Sequence, residues 1–239
     1  MTDQPSRVSV SGRLKEVLEL DGSPVAVAFL SDIPLGLRKW SRRGTVCVMI
    51  QSARRGSAFY CSGDRIICGG RVHLGMATSA GRDLKDFLVK TEKLAASDTA
   101  AQRLLGLTKS RAPRKLGEYL AFTPLEKATF APDVVLFVGT PLQISRIIWL
   151  DAFQTGQINT IHGEPLCSGV IAAPFSRRRI GLSFMDMACR AFGRYKPEEL
   201  VIGVPYERLS RIIDSIEKSI AGTAKSNFIL RLLPKLIKP

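Results

Sequence analysis

A chain of 239 residues that is 45% hydrophobic and 23% charged carries enough apolar material for a sizeable core, which excludes a disordered or collagen-like polymer. Its 35 Lys+Arg against 21 Asp+Glu give a formal charge of +14 and a pI of about 10.0, so anionic partners are easily attracted. The excess is spread over separate groups (Arg38 to Arg43, Arg111 to Lys115, Arg177 to Arg179) rather than laid out as an aromatic stacking platform, and a nucleic-acid partner is disfavoured.

Met1 to Arg13 is polar and lacks the apolar run of a secretory leader, and no stretch approaches the roughly 20 apolar residues of a membrane span. The expectation is a cytoplasmic protein. Five cysteines, an odd number in a chain this long, do not read as a disulfide framework, so reduced thiols or metal thiolates are expected.

In chain order, Leu14, Val17 and Leu18 stand at helical spacing before Asp21-Gly22-Ser23-Pro24 ends the helix. Val25 to Leu30 is a short apolar run and reads as a buried strand. A basic loop, 31–44, leads to a short helix around Cys47 to Arg55 that closes on Gly56, and Ser57 to Cys61 returns as a strand. Asp83 to Lys90 and Ala96 to Leu107 read as outer helices with Leu84, Phe87, Leu88, Leu104 and Leu105 turned inward. Tyr119 to Thr123 and Val134 to Val138 are strands, and Thr140-Pro141 opens a helix over 142–153. After Pro174 come a strand at Gly181 to Phe184, a helix at Met185 to Phe192 and a strand at Glu199 to Val204. A long helix follows Pro205, with the stripe Leu209, Ile212, Ile213, Ile216 and Ile220 in the core.

The expected fold is α/β: a mixed sheet flanked by helices in one domain over residues 1–222, with a basic amphipathic tail at 223–239. Two stretches, 14–107 and 116–221, look alike. Each has a strand, a helix closing on a glycine (Gly56, Gly156) and then a cysteine loop, Cys68-Gly69-Gly70 or Cys167-Ser168-Gly169. Read as pseudo-repeated halves, they bring Cys68 and Cys167 to a shared cleft. The tail, with its apolar pairs and Arg231, Lys235 and Lys238, reads either as a helix docked on the body or as a peripheral contact with an anionic membrane surface.

Thiolates bind soft metals and iron–sulfur clusters and are favoured by nearby N–H groups and cations. Cys68 and Cys167, each followed by small residues, and Cys47 at a helix start form a candidate ligand set for an iron–sulfur cluster or zinc. A fourth position is left for Cys61, a histidine, substrate or water. His73 and His162 lie five residues from Cys68 and Cys167, a spacing that matches no zinc finger. Gly69, Gly70 and Arg71, with Ser168 and Gly169 opposite, form a second candidate site, in which freed N–H groups and a guanidinium hold a small anionic ligand. No Gly-x-Gly-x-x-Gly, Walker, Gly-x-Ser-x-Gly or His-Glu-x-x-His pattern is present. Glu164 in Gly163-Glu164-Pro165 is a candidate acid or base beside Cys167.

Pro24-Val-Ala-Val-Ala-Phe29, Val46-Cys47, the block Cys68-Gly-Gly-Arg-Val-His-Leu-Gly75, Phe122-Thr-Pro-Leu125, Pro132-Asp-Val-Val135, Pro141-Leu-Gln143, Cys167-Ser-Gly169 with Pro174, Gly181-Leu-Ser183 and Val204-Pro-Tyr206 occur in an order that resembles the prokaryotic uncharacterised ArCR proteins. That family is catalogued as domain of unknown function 169. The resemblance spans Leu14 to Ala221. It implies an α/β cytoplasmic protein without a settled reaction, and it implies that Cys47, Cys68 and Cys167 occupy the family's cysteine positions. The combined expectation is a protein that binds a metal or an iron–sulfur cluster and works in a redox or accessory role beside a redox partner. The alternatives are a module for a small anion and a basic interaction protein.

Overall fold

The computed structural model describes residues 6–78, 84–107, 117–158, 160–162 and 166–223. The basic tail therefore lies, from residue 224 onward, outside the described residues, as do Glu164 and the basic group at 111–115.

Helix α1 (Arg7–Leu18) begins where the Ser6 hydroxyl accepts from Ser9 N and buries Val10, Leu14 and Leu18. There follow β1 (Val25–Leu30), β2 (Arg38–Lys39), α2 (Val46–Arg54), β3 (Phe59–Ser62), α3 (Gly70–His73), α4 (Leu84–Asp86), α5 (Asp98–Leu107), β4 (Tyr119–Pro124), β5 (Val134–Gly139) and α6 (Pro141–Ala152). The chain continues with β6 (Thr160–His162), α7 (Ala173–Arg177), β7 (Ile180–Ser183), α8 (Met187–Gly193), β8 (Leu200–Pro205), α9 (Leu209–Ile216) and α10 (Ile220–Thr223). Two π-helical turns, Phe87–Thr91 and Ser168–Ala172, extend α4 and lead into α7.

The strands form one mixed 8-stranded sheet in the order β2-β3-β4-β1-β5-β8-β7-β6, as the α/β reading expects. The outermost pairs, β2 with β3 and β6 with β7, are parallel, and the inner pairs are antiparallel. The order reads alike from either end once β1 to β4 are exchanged for β5 to β8, and at the centre Val25 pairs with Leu136 as Val27 pairs with Val134. The helices do not follow the correspondence expected from Gly56 and Gly156. Helix α2 lies between β2 and β3, whereas α6 lies between β5 and β6, so the position matching α2 belongs to the segment 166–177. A glycine that ends a helix marks a C-terminus wherever one occurs, and two such ends say nothing about where the helices pack.

Strand periodicity divides the core in two. Val25, Val27 and Phe29 of β1 and Val134, Leu136 and Val138 of β5 point to one face, and Ala26, Ala28, Val135 and Phe137 to the other. Helices α1, α6 and α9 cover the second face with Leu14, Leu18, Ile144, Ile147, Leu209 and Ile212. Each such side chain, taken out of water, contributes roughly 1.5–3 kcal/mol. Helix α6 is fixed at its start by Thr140 and Gln143, each side chain bonding the other's backbone, with Pro141 at the first position. In the stripe after Pro205, Leu209, Ile212 and Ile216 are buried and Ile213 half-buried, but Ile220 is 61% exposed because α9 ends at Ile216 and the chain turns before α10.

On the first face sit α2, the turn Ser168–Ala172 and α8. The turn lies flush on the sheet because β7 and β8 present glycine beneath it. A Cβ on Gly203 would stand 1.8 Å from Val170 O, and one on Gly181 2.0 Å from Gly169 O. This close seating carries Cys167, one residue before the turn, towards α2 and α3. Among the described residues no helix is long and apolar enough to cross a membrane.

Candidate functional site

Four of the five cysteines, from four separate segments, line one pocket of about 890 Å³: Cys47 in the first turn of α2, Cys68 before α3, Cys167 before the π-helical turn and Cys189 in the first turn of α8. The Sγ atoms of Cys167 and Cys68 lie 3.1 and 3.2 Å from the point where a Cβ on Gly70 would sit. The absence of a side chain at that position lets Val46 and the two sulfurs pack directly against the Gly70 backbone. Cys47 Sγ is 3.0 Å from Thr45 Oγ1 and is hydrogen-bonded to the Cys189 thiol. Its carbonyl accepts from Tyr195 Oη at 3.2 Å, which ties the start of α2 to the segment after α8. All five cysteines are free thiols.

Their acidities reflect this crowding. The bond from Cys189 holds Cys47 below the usual thiol range against the opposing effect of burial, with Thr45 adding to it. Cys189 is pushed well above that range, first by the same bond, then by burial and by the charges of Cys47 and Asp186. Burial is the main cause for Cys68, which is raised, and for Cys167, which is raised strongly with help from Cys68, Asp186 and Cys47. The four thiols thus feel one another, as groups of one site do. Only at Cys47 do the surroundings favour the thiolate.

Two carboxylates complete this end of the pocket. Asp186 caps α8, its Oδ1 accepting from Cys189 N at 2.7 Å, and Glu92 reaches from the turn Phe87–Thr91 to accept from Ala188 N at 2.7 Å. Burial, with the neighbouring Asp186, raises the Glu92 carboxyl above its ordinary range.

The residues expected to form the site divide clearly. Cys47, Cys68 and Cys167 come together, and Gly69 and Gly70 stand beside them. Cys61 does not line the pocket. It is buried on β3, its thiol 3.8 Å from Met49 Sδ, and burial pushes its pKa up to about 12, so it does not supply the fourth thiol. Cys189 takes that place. In sequence it sits within an apolar helix and reads as core, and the signal that marks it is Asp186, a capping residue three positions earlier. Arg71 follows Gly70 but does not line the pocket, and Ser168 and Gly169 are buried between the pocket wall and the sheet. His73 is buried and lines the pocket, with Nε2 3.8 Å from the point where a Cβ on Gly69 would lie. His162 falls in β6, and its side chain is outside the described residues. Among the described residues no group of three or more His, Cys, Asp or Glu is placed to hold a metal ion.

A family model described as Uncharacterised ArCR matches residues 13–215. The chain belongs to that family. As a member of the ArCR family it is 27% identical over 217 residues to an uncharacterised protein of Methanocaldococcus jannaschii, a match that covers 86% of this chain and 91% of the relative. No solved structure matches it. Every cysteine of this ArCR protein lies inside the matched range, and so do Asp186 and Glu92.

Proposed function

We propose that the ArCR protein holds an iron–sulfur cluster or a soft metal ion through Cys47, Cys68, Cys167 and Cys189, and that it serves in electron transfer or as an accessory to a redox partner. The observation that carries this reading is the convergence of four free thiols, from segments up to 142 residues apart in sequence, on one pocket. Buried cysteines are ordinarily dispersed as small hydrophobes. Four around one pocket are a set that soft metals and iron–sulfur clusters use.

A single tetrahedral zinc needs its sulfurs roughly 3.8 Å apart, as follows from a Zn–S distance of about 2.3 Å. The described thiols form no such group. A multi-iron cluster is wider and takes four thiolates around its outside, so it does not need the close spacing of a single zinc. Loading replaces four S–H protons by metal, and the hydrogen bond between Cys189 and Cys47 opens as both turn to ligands. Backbone N–H groups of Val48, Val46, Gly70 and Ser168 bond to Cys47, Cys68 and Cys167 and would offset part of the negative charge of a thiolate-held group.

Anaerobic purification, iron and sulfide analysis and a visible spectrum test the reading. Stoichiometric iron and sulfide are expected, lost in Cys68→Ser and Cys189→Ser and retained in Cys61→Ser. A protein that stays free of metal after anaerobic reconstitution, or one in which Cys61→Ser is as damaging as Cys189→Ser, refutes it.

A further inference from the structure

The pocket wall is not made of thiols alone: Leu84, Phe87, Leu88 and Leu104 from α4, α5 and the turn between them also line it, are half-buried and are not members of the two buried cores. Leu84 packs against Gly69, beside Cys68. At the mouth Leu94 is 44% and Phe192 61% exposed. Side chains of this kind normally point into a core, and here they face a cavity. The volume of about 890 Å³ falls near the upper part of the roughly 300–1,000 Å³ range of small-molecule pockets.

The same pocket has a basic border. Arg42, Arg43, Arg55 and Arg194 all line it and are exposed, and among the described residues none of the four is in an ion pair. Arg42 lies over the Trp40 ring at 5.2 Å, which holds its guanidinium at the rim. The two carboxylates in the lining, Glu92 and Asp186, are occupied with the first turn of α8. An apolar wall under a rim of unpaired guanidiniums is complementary to a molecule with the opposite ends: a hydrocarbon body and an anionic head.

We infer that this pocket binds a single-chain amphipathic anion, its hydrocarbon portion along Leu84, Phe87, Leu88 and Leu104 and its carboxylate or phosphate head at Arg42 and Arg43. It shares the pocket with the thiols but uses none of them as a contact, so it does not rest on what the cysteines hold. It differs from the anion nest expected at Gly69, Gly70 and Arg71, because Arg71 takes no part in the lining.

Isothermal titration of the purified full-length chain with dodecanoate, dodecyl phosphate and dodecanol, each below its aggregation threshold, tests the inference. One equivalent of each anion is expected to bind at least about tenfold more tightly than the alcohol. The preference between the two anions identifies the head group. Arg42→Gln with Arg43→Gln is expected to weaken dodecanoate about tenfold and leave dodecanol unchanged, and Leu88→Asp to abolish binding of both with an unchanged circular dichroism spectrum. Dodecanol binding as tightly as the anions, or an arginine pair whose replacement changes nothing, overturns the proposal, as does the absence of binding. Iron content measured on the same variants should stay constant, so this result and the thiol result are read separately.

Discussion

The two faces of the sheet are covered by helices of different length and do different work. Helices α1, α6 and α9 close one face with aliphatic stripes, and the charges near it are tied down, as in the paired Arg208 and Asp151. The other face is covered by shorter pieces, α2, the turn Ser168–Ala172 and α8, whose beginnings carry cysteine and which leave a pocket against α4 and α5. Long amphipathic helices fill a layer completely. Short segments entering a layer from several directions leave gaps, and the gap here is where the chemistry-bearing side chains meet.

Substitutions can set the faces against each other. The largest effect is expected at Glu199, which pairs with Arg54 at 2.7 Å with both side chains nearly buried, and which also accepts from Lys196 N. Glu199→Leu leaves the Arg54 cation unpaired and should cost about 3–4 kcal/mol in a denaturant titration. The loss should be accompanied by a looser α2 and faster alkylation of Cys47. Ile147→Ala, on the aliphatic face, should cost about 3 kcal/mol through the cavity it leaves. Its iron content per folded molecule should be that of the wild type. If Ile147→Ala empties the thiol site as readily as Glu199→Leu, the two faces are not independent.

Gly70→Ala reverses that pattern. The new methyl would lie 2.7 Å from Val46 Cγ2 and about as close to the sulfurs of Cys167 and Cys68 as those atoms can tolerate. A stability loss of about 1–2 kcal/mol is expected, with most of the bound iron gone. The smallest effect concerns Glu126, beside α1. Burial opposes its ionisation, but the hydroxyls of Ser23 and Ser11, at 2.6 and 2.7 Å, outweigh it and hold the carboxyl below the ordinary glutamate range. Its folded pKa is the lower one, so its contribution is present above about pH 4.5 and disappears as pH falls through the folded value. Thermal melts between pH 6 and pH 3 should show this small slope, and Ser11→Ala with Ser23→Ala should flatten it.

Much of the fold is legible in local pattern. The runs at Val25 and Val134 are continuous and apolar because both faces of a central strand are covered. Strands β2 and β6 are not legible: Arg38–Lys39 and Thr160–His162 are too short to alternate, and they exist because a neighbour pairs with them. The convergence of Cys47, Cys68 and Cys167 follows from glycine-rich context and cysteine count, whereas Cys189 enters only through the packing of α8 on α2, which no local pattern encodes. Leu84, Phe87 and Leu88 have helical spacing and read as core. Periodicity tells which side of a helix is apolar and is silent on whether protein or an empty pocket faces it.

Strands β2 and β6 have a further consequence. As the outermost members of the sheet they are two and three residues long, so neither border presents enough unpaired backbone to nucleate an added strand from another molecule. Arg38 and Lys39, both exposed, add like-charge repulsion at the first border. Among the described residues, contacts with other molecules are accordingly offered by side-chain surfaces rather than by the borders of the sheet.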